Sequence, residues 1–191
     1  MPLMKKVETK ETDDFQIIGG SKLHGSIETN TSKNGAMGLF SASLLNKKST
    51  TLHGIPRIEE IFRIMEIFES IGVKVEWIGK NSVRITPPKK FNLNKINKNS
   101  SSRIRSTLMT IGALIHFEKK FNIPHAGGCK MGQRTIAAHR FGLESLGVKI
   151  STKQSHYEIT HKKLVPADIV LYEASDTATE NLLIATALIP G

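Results

Sequence analysis

The chain has 191 residues, 39% of them hydrophobic and 23% charged, with a formal net charge of +10. This is an ordinary globular composition, sufficient for one large domain or two small ones. A single cysteine excludes a disulfide framework and any CxxC zinc site, and no apolar run approaches the roughly 18 residues of a membrane-spanning helix.

The opening Met1-Pro-Leu-Met-Lys-Lys-Val-Glu8 lacks a signal-peptide core, so a cytoplasmic protein is expected. The positive charge asks for an anionic partner, either nucleic acid or substrates bearing phosphate and carboxylate groups. Only 6% of residues are aromatic, and much of the lysine lies in solvated Lys-Asn-Ser runs such as 92–102. A basic nucleic-acid-binding module is therefore the weaker alternative.

Residues 1–14 are polar and without period, and are expected to form a mobile tail. Phe15-Gln-Ile-Ile18 and the alternating Leu23, Gly25, Ile27 read as short strands around Gly19-Gly20. Gly19-Gly-Ser-Lys22 is not a phosphate loop, because the GxxxxGK[ST] spacing is absent. A helix starts at Thr31-Ser32, with a hydroxyl N-cap before Ala36, Met37, Phe40 and Leu44 at helical spacing. Its first turn carries Lys33 and Asn34, where free N–H groups favour an anion.

After Pro56 a second helix has the apolar stripe Ile58, Ile61, Phe62, Met65 and Phe68, with Glu59 and Arg63 four apart on its wet side. Val73–Trp77 and Ser82–Thr86 then make a hairpin across Gly79-Lys-Asn81. The next helix is expected from Ser102, buried along Ile104, Leu108, Ile111 and Ile115. Arg103 and Arg105 in its first turn oppose the dipole and so favour an anion site.

His125-Ala-Gly-Gly-Cys129-Lys-Met-Gly-Gln-Arg134 holds the lone cysteine between glycine turns, close in sequence to Lys130, Arg134, His125 and His139. Cationic neighbours lower a thiol pKa from about 8.5, whereas free cysteines more often simply pack. Further on come a helix through Ile136, Arg140, Leu143 and Leu146, a hairpin of Val148–Ile150 with Tyr157–Thr160, and a strand Ile169–Tyr172. Ser175-Asp-Thr-Ala-Thr-Glu-Asn181 opens a last helix.

The chain resembles itself. Glu69-Ser-Ile-Gly-Val-Lys-Val75 matches Glu144-Ser-Leu-Gly-Val-Lys-Ile150, and each leads through a hairpin to an Ile-Thr pair. The implied unit is strand, helix, strand, helix, hairpin. Units are expected at about 20–89 and 90–163, with a third, 164–191, cut after its first helix. An uncovered apolar face would follow, so a missing continuation or a complementary chain is expected.

Taken in order, Ser32-Lys33-Asn34, Ile104-Arg105-Ser106, Gly127–Arg134, His139, Gly142–Gly147 and Ser175–Asn181 resemble the enolpyruvyl transferases, specifically the UDP-N-acetylglucosamine 1-carboxyvinyltransferases. The resemblance runs from Phe15 to Gly191, about the first half of a family member. It implies an α/β fold, an inside-out barrel of repeated units, incomplete in this chain. The implied activity is transfer of the enolpyruvyl group of phosphoenolpyruvate to the 3′-hydroxyl of UDP-N-acetylglucosamine with release of phosphate. This is a step of peptidoglycan precursor synthesis, serving cell wall biogenesis, and it needs neither metal nor organic cofactor.

The same resemblance makes Cys129 the general acid. It assigns Lys33, Arg105 and Arg134 to phosphoenolpyruvate, and Asn34, Arg105, Arg134, Thr135, His139, Ser175, Asp176 and Thr177 to the sugar nucleotide. An aspartate base and further arginines belong to the other half of the family pattern, so the 191 residues alone are expected to be inactive. Two departures stand out: Asn30-Thr31-Ser32 replaces the usual Ser-Gly-Ala, and Thr135-Ile-Ala-Ala138 replaces a segment with proline and an acid. A non-catalytic or regulatory relative of the same family is the alternative they leave open.

Overall fold

The computed structural model describes residues 18–20, 22–127 and 135–191. The expected tail at 1–14, most of the first strand, and Cys129, Lys130 and Arg134 lie outside the described residues. Helix α1 spans Lys33–Ser43, and Ser32 caps it as the sequence suggests, its Oγ accepting from Gly35 N at 3.1 Å. Strand β1 (Thr50–His53) leads to α2 (Glu59–Ser70), whose Glu59 and Glu60 sit in the first turn where acids favour the dipole. The hairpin β2 (Lys74–Trp77) and β3 (Ser82–Thr86) follows.

The expected long helix from Ser102 is broken up. A short α3 (Lys98–Ser101) ends in a turn, Ser106–Met109 winds as a 3-10 helix, and only Thr110–Leu114 is α-helix α4. Arg103 and Arg105 therefore precede the helix, and Arg103 lies 3.7 Å from Glu59. Strand β4 (Lys120–Pro124), α5 (Ala137–Ser145), β5 (Val148–Thr152), β6 (His156–His161) and α6 (Asp176–Thr186) complete the elements.

The strands form two antiparallel sheets of the same order, β1-β3-β2 and β4-β6-β5. Their registers match: Lys74 faces Thr86 as Lys149 faces Thr160, and Val75 faces Ile85 as Ile150 faces Ile159. The matching sequence stretches explain this. Gly72 (φ 95°) and Gly147 (φ 87°) end α2 and α5 in the left-handed conformation that only glycine adopts without strain, and turn each chain into its hairpin.

No strand forms among the described residues of 18–31 or in 169–172, contrary to expectation. A run of strand-forming residues becomes a strand only when it pairs along a sheet edge, and neither run pairs with the outer edge of β1, β2, β4 or β5. Leu23, Ile27 and Val170 remain exposed, while Ile169 and Leu171 pack against the core.

One continuous core joins the two sheets and the helices, with Phe40, Ile61, Ile64, Phe68, Leu108, Ile111, Leu143 and Ile159 at its centre. Helix α6 packs on α1, α4 and α5. Glycines allow the approach: a Cβ on Gly112 would strike the Asn181 carbonyl, and one on Gly142 would lie 2.6 Å from Leu182.

Candidate functional site

Two helix N-termini meet at one end of the core, and an open cleft of about 550 Å³ lies between them. Asn34 enters from the first turn of α1, and Ser175, Asp176 and Thr177 from the start of α6. Arg105 comes from the turn before the 3-10 helix, and Thr135 from the approach to α5. Glu173 and Ala174 complete the described lining. Six of the expected site residues, from four separated stretches of chain, thus share one cavity.

The cleft residues are held individually. Arg105 donates from its guanidinium to the Thr135 carbonyl. Thr135 Oγ1 in turn accepts from Ala137 N at 3.3 Å, and Ser175 Oγ accepts from Ala178 N at 3.4 Å as the cap of α6. Gly127 N donates to the Ser101 carbonyl at 3.1 Å, and its Cα approaches Ser102 so closely that a Cβ would overlap that residue's carbonyl. Gly127 and Thr135 flank the segment 128–134, and both are tied to the same 101–105 turn.

Lys33 does not line the cleft: its Nζ donates to Glu60 on α2 at 3.1 Å. The Glu60 carboxyl is lowered from its usual range although burial works against this, because backbone hydrogen bonding and Lys33 stabilise the anion.

His139 is placed beneath the cleft and is 2% exposed. Its Nδ1 lies 3.1 Å from Asn181 Nδ2 and its Nε2 lies 3.4 Å from Thr177 Oγ1, so both ring nitrogens are engaged by protein. Burial first, and the Arg105 charge second, lower its pKa to about 4, which keeps it neutral. Sequence reasoning missed Glu60, Glu173 and Asn181. The available signal for Asn181 was its place four residues after Thr177, on the same helix face.

Comparison with known proteins identifies the fold and the family. The family model for EPSP synthase (3-phosphoshikimate 1-carboxyvinyltransferase) matches residues 17–191. Among solved structures, the enolpyruvyl transferase NikO from Streptomyces tendae superimposes with a TM-score of 0.71 at 17% identity, over 91% of this chain and 40% of that one. An EPSP synthase from Acinetobacter baumannii gives 0.64 over 87% and 39%. The fold is therefore that of the enolpyruvyl transferases, and the chain belongs to the EPSP synthase/enolpyruvyl transferase family.

Within that family, similar curated relatives are UDP-N-acetylglucosamine 1-carboxyvinyltransferases. The UDP-N-acetylglucosamine 1-carboxyvinyltransferase of Treponema denticola is 34% identical over 93% of this chain, and that of Bradyrhizobium diazoefficiens is 34% identical over the same share. The chain spans 41% of the length of each. No helix among the described residues is long and apolar enough to cross a membrane.

Proposed function

We propose that this chain contributes the cysteine-loop half of an enzyme that moves the enolpyruvyl group of phosphoenolpyruvate to the 3′-hydroxyl of UDP-N-acetylglucosamine, releasing phosphate for peptidoglycan precursor synthesis in the cytoplasm. The carrying observation is the shared cleft of Asn34, Arg105, Thr135, Ser175, Asp176 and Thr177. Two helix N-termini and a guanidinium there suit a diphosphate, since free N–H groups and fixed cations bind phosphate oxygens.

In this reading Arg105, Lys33 and Arg134 neutralise the phosphate and carboxylate of phosphoenolpyruvate. Lys33 must then exchange Glu60 for substrate. Cys129 gives its proton to the methylene carbon. The cations that hold the substrate also favour the thiolate, whereas the bound dianion restores the thiol, so Cys129 is the better acid in the complex. The remaining unit of the domain, a second domain and the general base come from outside the 191 residues.

The reading is tested by calorimetric titration with UDP-N-acetylglucosamine and by a phosphate-release assay. Expected are weak binding, lost in Arg105→Ala, and no turnover by the chain alone. Absence of binding refutes the acceptor. Phosphate release by the isolated chain that disappears in Cys129→Ala refutes the division of the catalytic groups.

A further inference from the structure

We infer that Asn181 and His139 are positioning residues that fix Thr177 as a hydrogen-bond donor into the cleft, aimed at an acceptor oxygen of a phosphate group. The ligand part of this inference rests on the function proposed above; the donor direction follows from the protein alone.

The argument begins at Asn181, which is fully buried. Its Oδ1 accepts from Gly112 N at 2.8 Å, and its Nδ2 donates to the Leu108 carbonyl at 3.1 Å. A flipped amide would set N–H against N–H and carbonyl against carbonyl, so two backbone groups fix the orientation. The second Nδ2 hydrogen is then directed at His139 Nδ1, 3.1 Å away. Nδ1 must be the bare nitrogen, and the proton of the neutral ring must be on Nε2. Nε2–H in turn faces Thr177 Oγ1 at 3.4 Å and donates to it.

The Thr177 hydroxyl therefore cannot give its own proton to His139. No described residue accepts that proton, and Thr177 lines the cleft. The backbone of the 3-10 helix and α4 thereby sets, through two side chains, the polarity of a hydroxyl on α6.

The test reads the ring nitrogens and the ligand separately. Long-range proton–nitrogen spectra of the full chain should show His139 protonated at Nε2 and bare at Nδ1. Asn181→Asp, which offers Nδ1 an acceptor, should invert that pattern. Calorimetry with two probes, UDP-N-acetylglucosamine and inorganic pyrophosphate, should show Thr177→Val binding roughly tenfold or more weakly, while Thr177→Ser retains affinity. Asn181→Asp should match the Thr177→Val loss, and the double variant should be no worse than either alone.

A wild-type ring protonated at Nδ1 overturns the relay. Unchanged affinity in Thr177→Val, additive losses in the double variant, or binding of neither probe overturn the donor role. Pyrophosphate binding with the expected pattern but no UDP-N-acetylglucosamine binding supports the relay and refutes only the acceptor. If Asn181→Asp does not fold, the wild-type tautomer and the Thr177 pair decide.

Discussion

The His139 imidazole makes stability fall in mild acid by an amount the structure specifies. Its folded pKa is depressed to about 4, chiefly by burial, from an ordinary value of 6.5. Between those values the unfolded chain binds a proton that the folded chain refuses, so stability declines as pH drops through this window. The contribution is fully present above about pH 6.5. At one pH unit per 1.36 kcal/mol the whole shift corresponds to about 3 kcal/mol, with about 2 kcal/mol already lost by pH 5. Urea midpoints at pH 7.5 and pH 5 should therefore fall further for the native chain than for His139→Gln, by about 2 kcal/mol. His116, also lowered by burial, is common to both proteins and cancels. Equal losses in the two proteins, or a His139 resonance that titrates near 6.5, would refute the reasoning.

Five other substitutions test the packing and the charge pairing. Gly112→Ala drives a methyl into the Asn181 carbonyl and should cost about 1–3 kcal/mol, read as a lowered melting temperature. Gly147→Ala should cost more than Gly72→Ala: both strain a left-handed backbone, but only at Gly147 does the new Cβ lie 2.7 Å from a carbonyl, that of Lys163. Phe68→Ala, at the centre of the core, should lose about 3–5 kcal/mol in denaturant titration. Glu60→Gln removes an exposed ion pair and should change stability by less than about 1 kcal/mol. The same change should strengthen phosphoenolpyruvate binding by releasing Lys33; weaker binding would count against Lys33 as a substrate ligand.

Local rules made much of the fold legible. Ser32 and Ser175 are side-chain caps at the positions where hydroxyls precede apolar periodic runs, and the repeated Gly-Val-Lys stretches end two helices and start two hairpins. Tertiary partners decided the rest. Ile169–Tyr172 has strand-forming residues but pairs with no sheet edge. Ile104–Ile115 has a helical stripe, yet its chain turns at Arg103 and winds first as a 3-10 helix. Edge strand β4 showed only a single alternation, at Phe121 and Ile123, too short to read with assurance.

In the site, the cleft residues could be named from their resemblance to a family, but the network beneath them could not. It depends on which nitrogen of His139 faces Asn181 and which faces Thr177, both on α6, and Asn181 is held where α4 and α6 cross at Gly112.

The charge of the cleft bears on how it works. Its described lining offers one cation, Arg105, against the acids Glu173 and Asp176, so side-chain charge there does not by itself favour a diphosphate. The helix N-termini of α1 and α6 add partial positive charge that does not titrate and falls off within a turn. Such groups recognise a phosphate at short range without drawing every anion to the surface. On the proposed function, the cations that act at longer range are Lys33, which pairs with Glu60, and Arg134, which lies outside the described residues. On that same proposal, binding energy is divided between a fixed polar frame that orients the ligand and the charges of longer side chains, and Thr177, oriented from below, belongs to the frame.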